Sequence, residues 1–374
     1  MRYKTFQDLQ LSALGMGCMR LPLKGGNSEI DEEQTARMAA YAMAHGINYF
    51  DTAWGYHGGN SESVMGKILS AYPRDAYHLA SKFPGYDLAN MPKVQEIFAR
   101  QLERCQSEYF DFYLFHNVCE LNIDAYLNEE YGILDHLLKQ KEAGRIRHLG
   151  FSAHGSIPVI ERFLNAYGEH MEFCQIQLNY LDWSLQDAKG KVELLNARHI
   201  PIWVMEPLRG GKLCTLDEEA MSELQKLRPQ ESMSGWAFRF LQSIPGVTMI
   251  LSGMSDMQQL QENIETFADE QPLNEDEMKT LTGIGRRMST SVPCTACRYC
   301  IEHCPRSLDI PELIRLYNDM VYSDGSFSAR NAVNALPADK QPSACIGCGH
   351  CQALCPQQIH IPDIMRDLAR RISE

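Results

Sequence analysis

The stretch DEEQTARMAAYAMAHGINYFDTA, residues 31–53, holds one unit of the pattern that runs through most of this chain. Its first part has the length of a helix, with Asp31 placed to cap the start and Gly46 placed to end it. Its second part, INYFDTA, is a short apolar run of strand length that closes on an acid. The same alternation extends outward from here, from residue 10 to about residue 268. Apolar runs recur as ALGMGCM (13–19), INYFDTA (47–53), YHLASKF (77–83), FDFYLFH (110–116), IRHLGFS (146–152), EFCQIQL (172–178), IPIWVME (200–206) and VTMILSG (247–253), with helix-length segments between them. Eight strand-length runs, each followed by a helix, predict an α/β fold of the (β/α)8 barrel type, and roughly 250 residues is the usual size of that fold.

Residues 274–289 predict one further helix, after which the composition changes and the cysteines begin. The chain therefore divides into a barrel unit, residues 1–285, and a smaller unit, residues 286–374. PELIRLYNDMVY and SFSARNAVNAL, between the two cysteine runs, make the smaller unit mainly helical. The helix at about 256–268 should end at the foot of the barrel. The next one, about fifteen residues at ~1.5 Å each, is long enough to climb back beside the strands, so the second unit is expected at the strands' carboxyl ends.

A chain of 374 residues can bury a large core and still carry a small second domain. Apolar content of 44% with 22% charged residues is that of a folded globular protein and sets disorder aside. MRYKTFQDLQLSALG lacks the continuous apolar core of a signal peptide, and no run approaches the ~18 apolar residues of a membrane span. A cytoplasmic protein without a membrane partner is expected. Of the net charge of −13, the eight Lys/Arg and nine Asp/Glu of residues 290–374 carry almost nothing, leaving −12 on the remainder. An acidic chain with no basic stripe is a poor nucleic-acid binder.

Eight of the thirteen cysteines fall in two copies of one pattern, Cys294-x2-Cys297-x2-Cys300-x3-Cys304-Pro305 and Cys345-x2-Cys348-x2-Cys351-x3-Cys355-Pro356. Three thiolates within seven residues and a fourth before a proline resemble the ligand run of bacterial ferredoxins that hold two [4Fe-4S] clusters. That resemblance implies the ferredoxin crossover, with Cys294, Cys297, Cys300 and Cys355 on one cluster and Cys345, Cys348, Cys351 and Cys304 on the other. Paired four-cysteine zinc sites, the alternative, would set two CxxC pairs apart. Cys18, Cys105, Cys119, Cys174 and Cys214 read as small buried apolar residues.

Active sites of this fold lie at the carboxyl ends of the strands. The second run ends in Asp51 and leads to Tyr56 in the following loop, the third ends at Lys82, and the fourth at His116. Here the sequence, over roughly residues 1–285, resembles the aldo/keto reductase family, whose Asp-Tyr-Lys-His tetrad occupies these places. Hydride reduction of a carbonyl leaves an alkoxide that a positioned acid must protonate. By that resemblance Tyr56 would be the acid, and the ammonium of Lys82 is expected to lower its pKa from the usual value near 10. Asp51 would keep Lys82 charged and oriented, and His116 would donate to the substrate oxygen.

The resemblance also implies an extended nicotinamide dinucleotide, NADP(H) or NAD(H). Ser152 and Gln175 would bond its carboxamide, and Met205 would lie under its ring. The EPLRGG loop, with Pro207, Leu208 and Gly210, and the SGMSDMQQLQEN segment, with Ser252, Gly253, Gln259, Glu262 and Asn263, would hold the remainder, Glu262 and Asn263 at the adenine. Two positions depart from the family: Ala153 stands where an asparagine is frequent, and Gln259 where an arginine often meets the 2′-phosphate. Arg209 and Lys212 are the candidates to replace that charge. Trp54 and Tyr86 are candidate pocket linings, and Arg20 a candidate carboxylate anchor or a surface ion pair.

A nicotinamide handles two electrons and each cluster one, a mismatch that a flavin normally bridges, so a flavin is the optional third cofactor. The leading expectation is an NAD(P)H-dependent reductase interconverting a small-molecule carbonyl and an alcohol. The alternatives are a ferredoxin- or flavin-coupled reductase fed by the clusters, with a redox partner protein, and a redox-sensing regulator with a weakly active barrel.

Overall fold

The computed structural model describes every residue except 26–28, 290, 291, 293, 295–297, 299, 302, 324, 356 and 357. The chain opens with an antiparallel hairpin, β1 (Tyr3–Phe6) and β2 (Leu9–Ser12). Eight parallel strands follow: β3 (Leu14–Gly17), β4 (Tyr49–Asp51), β5 (His78–Phe83), β6 (Phe110–Val118), β7 (Ile146–Ala153), β8 (Cys174–Gln177), β9 (Ile202–Met205) and β10 (Val247–Ser252). They close in sequence order, β10 pairing with β3, to form the predicted (β/α)8 barrel. Between Phe115 and Val118 the register of β6 against β7 shifts, and Asn117 sits at φ 62°, in the left-handed region that asparagine tolerates. This irregularity carries β6 two residues beyond its predicted end.

Strand side chains alternate between the two faces of a sheet. Tyr49, Ala80, Phe112, Leu114, Phe173, Trp203, Met249 and Leu251 form the cluster inside the barrel, whereas Phe50, Tyr113, Phe115 and Val204 pack outward against the helices. The same parity brings Asp51, Lys82, His116, Ser152, Gln175 and Met205 inward, one layer above those apolar residues. The barrel therefore has an apolar floor and a polar top.

The hairpin, which the alternation of runs did not reveal, seals that floor. Phe6 is 4% exposed, with its ring centroid 5.0 Å from Trp203, 5.1 Å from His148 and 5.7 Å from Phe112. His148, given no role by the sequence, pairs with Glu172 at 2.7 Å beside it.

The helix Glu275–Ser289 starts at the same end of the barrel. Leu273 donates to Ser243 Oγ at the foot of the helix Met233–Gln242, and Asn274 and Glu277 cap each other reciprocally. The other end packs so closely on the segment after β8 that a Cβ on Gly285 would lie 2.5 Å from the Tyr180 carbonyl oxygen. The helix thus delivers the chain to the strands' carboxyl ends. There the helices Ile310–Ser323, Phe327–Asn334, His350–Ala353 and Ile361–Ser373 enclose a second core around Leu308, Leu313, Met320, Val333, Met365 and Leu368. Among the described residues no helix is long and apolar enough to cross a membrane.

Phe6→Ala removes the plug from a packed floor and is expected to lower stability by about 3–5 kcal/mol. Urea unfolding followed by far-ultraviolet circular dichroism measures the shift. An unchanged midpoint would mean that the hairpin does not seal the barrel.

Candidate functional site

At the top of the barrel Lys82, with 0% exposure, spends its three ammonium donors on three acceptors. Its Nζ lies 2.6 Å from Asp51 Oδ1, 2.8 Å from the Thr52 carbonyl oxygen and 3.3 Å from Tyr56 Oη. Tyr56 is aimed by a tight segment in which His57, Gly58 and Gly59 have φ of 52°, 63° and 92°. His57 fixes that segment by accepting from the Leu21 N–H at 3.0 Å. The ring of His116 stands edge-on to Tyr56 at 6.1 Å and to Tyr86 at 5.3 Å. Its backbone is held by Tyr126, whose hydroxyl donates to the His116 carbonyl oxygen at 2.8 Å. The four residues named from the sequence are thus brought together.

Burial opposes the charge of Lys82, but Asp51 and Tyr56 hold its pKa above the usual value. Burial also pushes the carboxyl of Asp51 up, while Lys82 pulls it back. For Tyr56 the outcome differs from the expectation: burial outweighs the ammonium, and the phenol is shifted upward. Tyr56 is therefore a protonated donor at neutral pH. Burial, Lys82 and His154 all push His116 well below its usual value, so it is a neutral imidazole.

A network missed by the sequence reading supports β5 from behind. Gln101 Nε2 donates to the Lys82 carbonyl oxygen at 3.0 Å and to Glu62 at 2.6 Å, and Tyr113 donates to Gln101 Oε1 at 2.6 Å. Its sequence signal is only polar residues on otherwise amphipathic helices. Trp54 is a platform for Arg104, whose guanidinium lies 3.9 Å over its ring. Arg20 forms an exposed ion pair with Glu206 at 3.2 Å.

Ser152 and Gln175 lie opposite each other on β7 and β8. Ser152 Oγ already accepts from the Asn117 N–H at 2.8 Å, whereas the buried Gln175 Oε1 has no partner and fits an amide donor. Met205 ends β9, half-buried at the mouth, and Pro207, Leu208 and Gly210 follow in the next loop. Ser252 and Gly253 close β10, and Glu262 is exposed beyond them. Asn263 turns inward, its amide donating to Ser252 Oγ at 3.2 Å. Gln259 is exposed and bonded to Asp256 and Ser255.

Arg209 is committed to carboxylates, whereas exposed Lys212 keeps its charge and two of its three donors beyond one hydrogen bond. Buried Arg209 donates to Asp319 of the helix Ile310–Ser323 and lies 3.4 Å from Asp182, which follows β8. Asp319 also accepts from Gln186 at 3.0 Å, Ser323 at 3.1 Å and Ser326 at 2.8 Å, and Lys212 donates to the Tyr322 carbonyl oxygen at 2.8 Å. Burial opposes the charge of Arg209, and Asp182 and Asp319 raise its pKa against it. These contacts tie the helical unit to the loops after β8 and β9.

In that unit Cys304, Cys345, Cys348 and Cys351 line one pocket, together with Ile310, Ile361 and Met365. This is the set implied by the ferredoxin crossover. Of the other set, Cys300 is buried, Cys294 and Cys355 are half-buried, and Cys297 lies outside the described residues.

A model described as the aldo/keto reductase family matches residues 13–286, and one described as a 4Fe-4S dicluster domain matches residues 293–360. The chain is 26% identical over 309 residues to the uncharacterized oxidoreductase YqkF of Bacillus subtilis, covering 73% of this chain and 92% of that one. Among solved structures, the holo form of the aldo-keto reductase AKR11C1 from Bacillus halodurans matches with a TM-score of 0.63 at 23% identity, over 76% of this chain and 96% of that one. An aldo-keto reductase from Klebsiella pneumoniae in complex with NADPH matches with a TM-score of 0.60 at 19% identity, over 76% of this chain and 95% of that one.

Lys82→Met would leave Asp51 buried without its cation, at an expected cost of about 3–5 kcal/mol at neutral pH. The isolated carboxyl has a raised pKa, so the deficit is largest above the unfolded value near 4 and shrinks as the pH falls toward it. Urea unfolding at pH 7 and pH 5 checks this; equal deficits at both would show that the variant acts through something other than the Asp51 charge.

Proposed function

The chain belongs to the aldo/keto reductase family and carries a 4Fe-4S dicluster domain, and we propose that it reduces a small-molecule carbonyl to an alcohol with NAD(P)H. The coarser part, an oxidoreductase, is what the family membership supports directly. The observation that carries the finer reading is the Lys82 ammonium between Asp51 Oδ1 at 2.6 Å and Tyr56 Oη at 3.3 Å. No lone core ion pair needs a phenol as its third partner.

A bound NAD(P)H supplies the hydride. The residues that would hold it are Gln175 and Ser152 at the carboxamide, Met205 under the nicotinamide ring, and the loops after β9 and β10 along the remainder. Tyr56 Oη gives its proton to the carbonyl oxygen as charge develops there. The upward shift of its pKa keeps that proton in place at neutral pH. Once it is given, Lys82 stabilises the phenolate, and Asp51 keeps Lys82 from moving with it. His116, neutral, donates an N–H to the same oxygen without competing for the proton. The alcohol leaves with one hydrogen from the cofactor and one from Tyr56.

A second reading, in which the clusters feed electrons to the barrel through a flavin or take them from a redox partner, draws on the Arg209 to Asp319 contact. That contact fastens the cluster unit to the mouth where the reaction would occur. Anaerobic optical titration with NADPH, NADH and reduced ferredoxin separates the two: cluster bleaching by ferredoxin coupled to turnover favours the second.

Tyr56→Phe removes only the proton donor, so carbonyl reduction should fall by at least about 100-fold while the dissociation constant for NADPH stays within twofold. Near-normal turnover in this variant would remove Tyr56 from the mechanism. Anaerobically prepared protein should hold about eight iron and eight sulfide, and Cys348→Ala about half of each with the barrel folded. Zinc without sulfide in fresh protein would end the cluster assignment.

A further inference from the structure

We propose that the clusters govern dinucleotide binding from a distance: the helix Ile310–Ser323 holds the EPLRGG loop in its binding shape through Asp319 and Arg209, and does so only while clusters order the cysteine segments packed on it. Asp319 is then a positioning residue for NAD(P)H. The inference rests on the NAD(P)H-dependent reductase reading and adds to it a means of regulation.

The EPLRGG loop does not keep its shape unaided. Glu206, Arg209, Gly210 and Gly211 have φ of 55°, 47°, 66° and 90°. Glycine takes such angles freely, but for Glu206 and Arg209 the left-handed region is unfavourable and persists only where neighbours enforce it. Asn179, from the segment after β8, holds the Glu206 carbonyl oxygen at 3.0 Å. At Arg209 the restraint comes from Asp182, 3.4 Å away, and from the helix Ile310–Ser323, which supplies Asp319 and sets the Tyr322 ring 5.5 Å from the guanidinium. Lys212, just beyond the loop, donates to the Tyr322 carbonyl oxygen at 2.8 Å. Without Asp319 the buried guanidinium keeps one carboxylate of two, and the left-handed turn at Arg209 loses a partner that enforces it.

The same helix is built into both cysteine sets. Ile310 and Leu313 share an apolar cluster with Cys300 of one set and Cys351 of the other. Ile310 also lines the pocket of Cys304, Cys345, Cys348 and Cys351. Asn318, next to Asp319 and itself buried, grips Val292 at both backbone groups: its Oδ1 accepts from the N–H at 2.8 Å, and its Nδ2 donates to the carbonyl oxygen at 3.0 Å. That carbonyl oxygen also accepts from the Cys294 N–H at 2.8 Å. A small cysteine-rich unit is ordered largely by what its thiolates bind, so cluster binding and folding of the unit are one equilibrium. Loss of a cluster therefore loosens the helix, and Asp319 passes the change to Arg209 and the loop.

Such a linkage works in both directions. If ordered clusters strengthen dinucleotide binding, bound dinucleotide must steady the helix by the same free energy.

The test uses the full chain, prepared anaerobically, and reads NADPH affinity by calorimetric titration instead of turnover. Asp319→Asn keeps the size of the side chain and removes its charge; it should raise the dissociation constant about three- to thirtyfold, the usual range for coupling between distant sites, with iron content unchanged. Asp319→Glu, which restores the carboxylate, should bring the constant back toward the wild-type value. Cys348→Ala, expected to keep the barrel folded with about half the iron, should raise it as well. In wild type, saturating NADPH should slow backbone hydrogen exchange in the helix Ile310–Ser323, and in Asp319→Asn it should not. A residue that merely stabilised the helical unit would leave that response in place. Unchanged affinity in Asp319→Asn or Cys348→Ala, or no exchange response in wild type, overturns the proposal and leaves the reductase reading standing. If Asp319→Asn loses its iron, Asn318→Ala, which keeps both Asp319 and Arg209, replaces it with the same expected direction and the same deciding outcomes. Failure of wild type to bind either NADPH or NADH overturns the dinucleotide reading and the proposal with it.

Discussion

The ammonium of Lys82 has no contact with solvent. Taking such a charge out of water costs several kcal/mol, and only complete satisfaction of its donors makes the position tolerable. Asp51, the Thr52 carbonyl and Tyr56 provide that satisfaction, and each comes from β4 or the segment that follows it. The loop after β4 is therefore not free to take any shape. It must return Tyr56 to within hydrogen-bonding distance of β5, and the positive φ angles at His57, Gly58 and Gly59 are the backbone conformations with which it does so. The hydroxyl that would give up a proton is located by the same contact that keeps the ammonium buried.

That constraint also explains why so much of the site was legible in the sequence. A closed barrel with period-two strands leaves one inward residue at the top of each strand, so a polar residue ending an apolar run is either an error of packing or part of a site. Asp51, Lys82, His116, Ser152, Gln175 and Met205 all have the required parity. The runs located the strands to within a few residues because each is bounded by helix-length polar segments. The grouping of Cys304 with the second cysteine run came from the resemblance to ferredoxins rather than from any local pattern, and these four thiols line one pocket.

What stayed hidden depends on partners far away in sequence or on the balance of opposing terms. The hairpin of β1 and β2 is short, and its purpose appears only when Phe6 meets Trp203 across the floor. Arg209 reads as a free cation in a Gly-rich loop, because Asp319 lies 110 residues on, within a helix whose amphipathic pattern gives no special weight to one acid. Asn263 looks exposed in a polar helix until Ser252 is placed beneath it. For Tyr56 the neighbouring ammonium was evident and its effect was real, but the extent of burial sets the sign, and burial is a property of the closed barrel rather than of any nearby residue.

The linkage of the two units follows from charge. Arg209 is one guanidinium between two carboxylates, all three buried, and Asp182 is pushed up by burial and by Asp319, against the pull of Arg209. Separating the helical unit from the barrel would remove Asp319 and expose Arg209 and the apolar surface around it, while leaving Asp182 with a cation held by one side only. Breaking one member of such a group costs far more than the group contributes in net stability. The loop after β9 is held at one end by Asn179, which donates to the Glu206 carbonyl oxygen at 3.0 Å, and at the other by Asp319. A displacement of the helix Ile310–Ser323 cannot leave that loop where it is, because packed and ionically paired elements move together or unpair. The helical unit is in this sense a wall of the barrel mouth, fixed there by the same rule that governs Lys82: a buried charge dictates the position of whatever neutralises it.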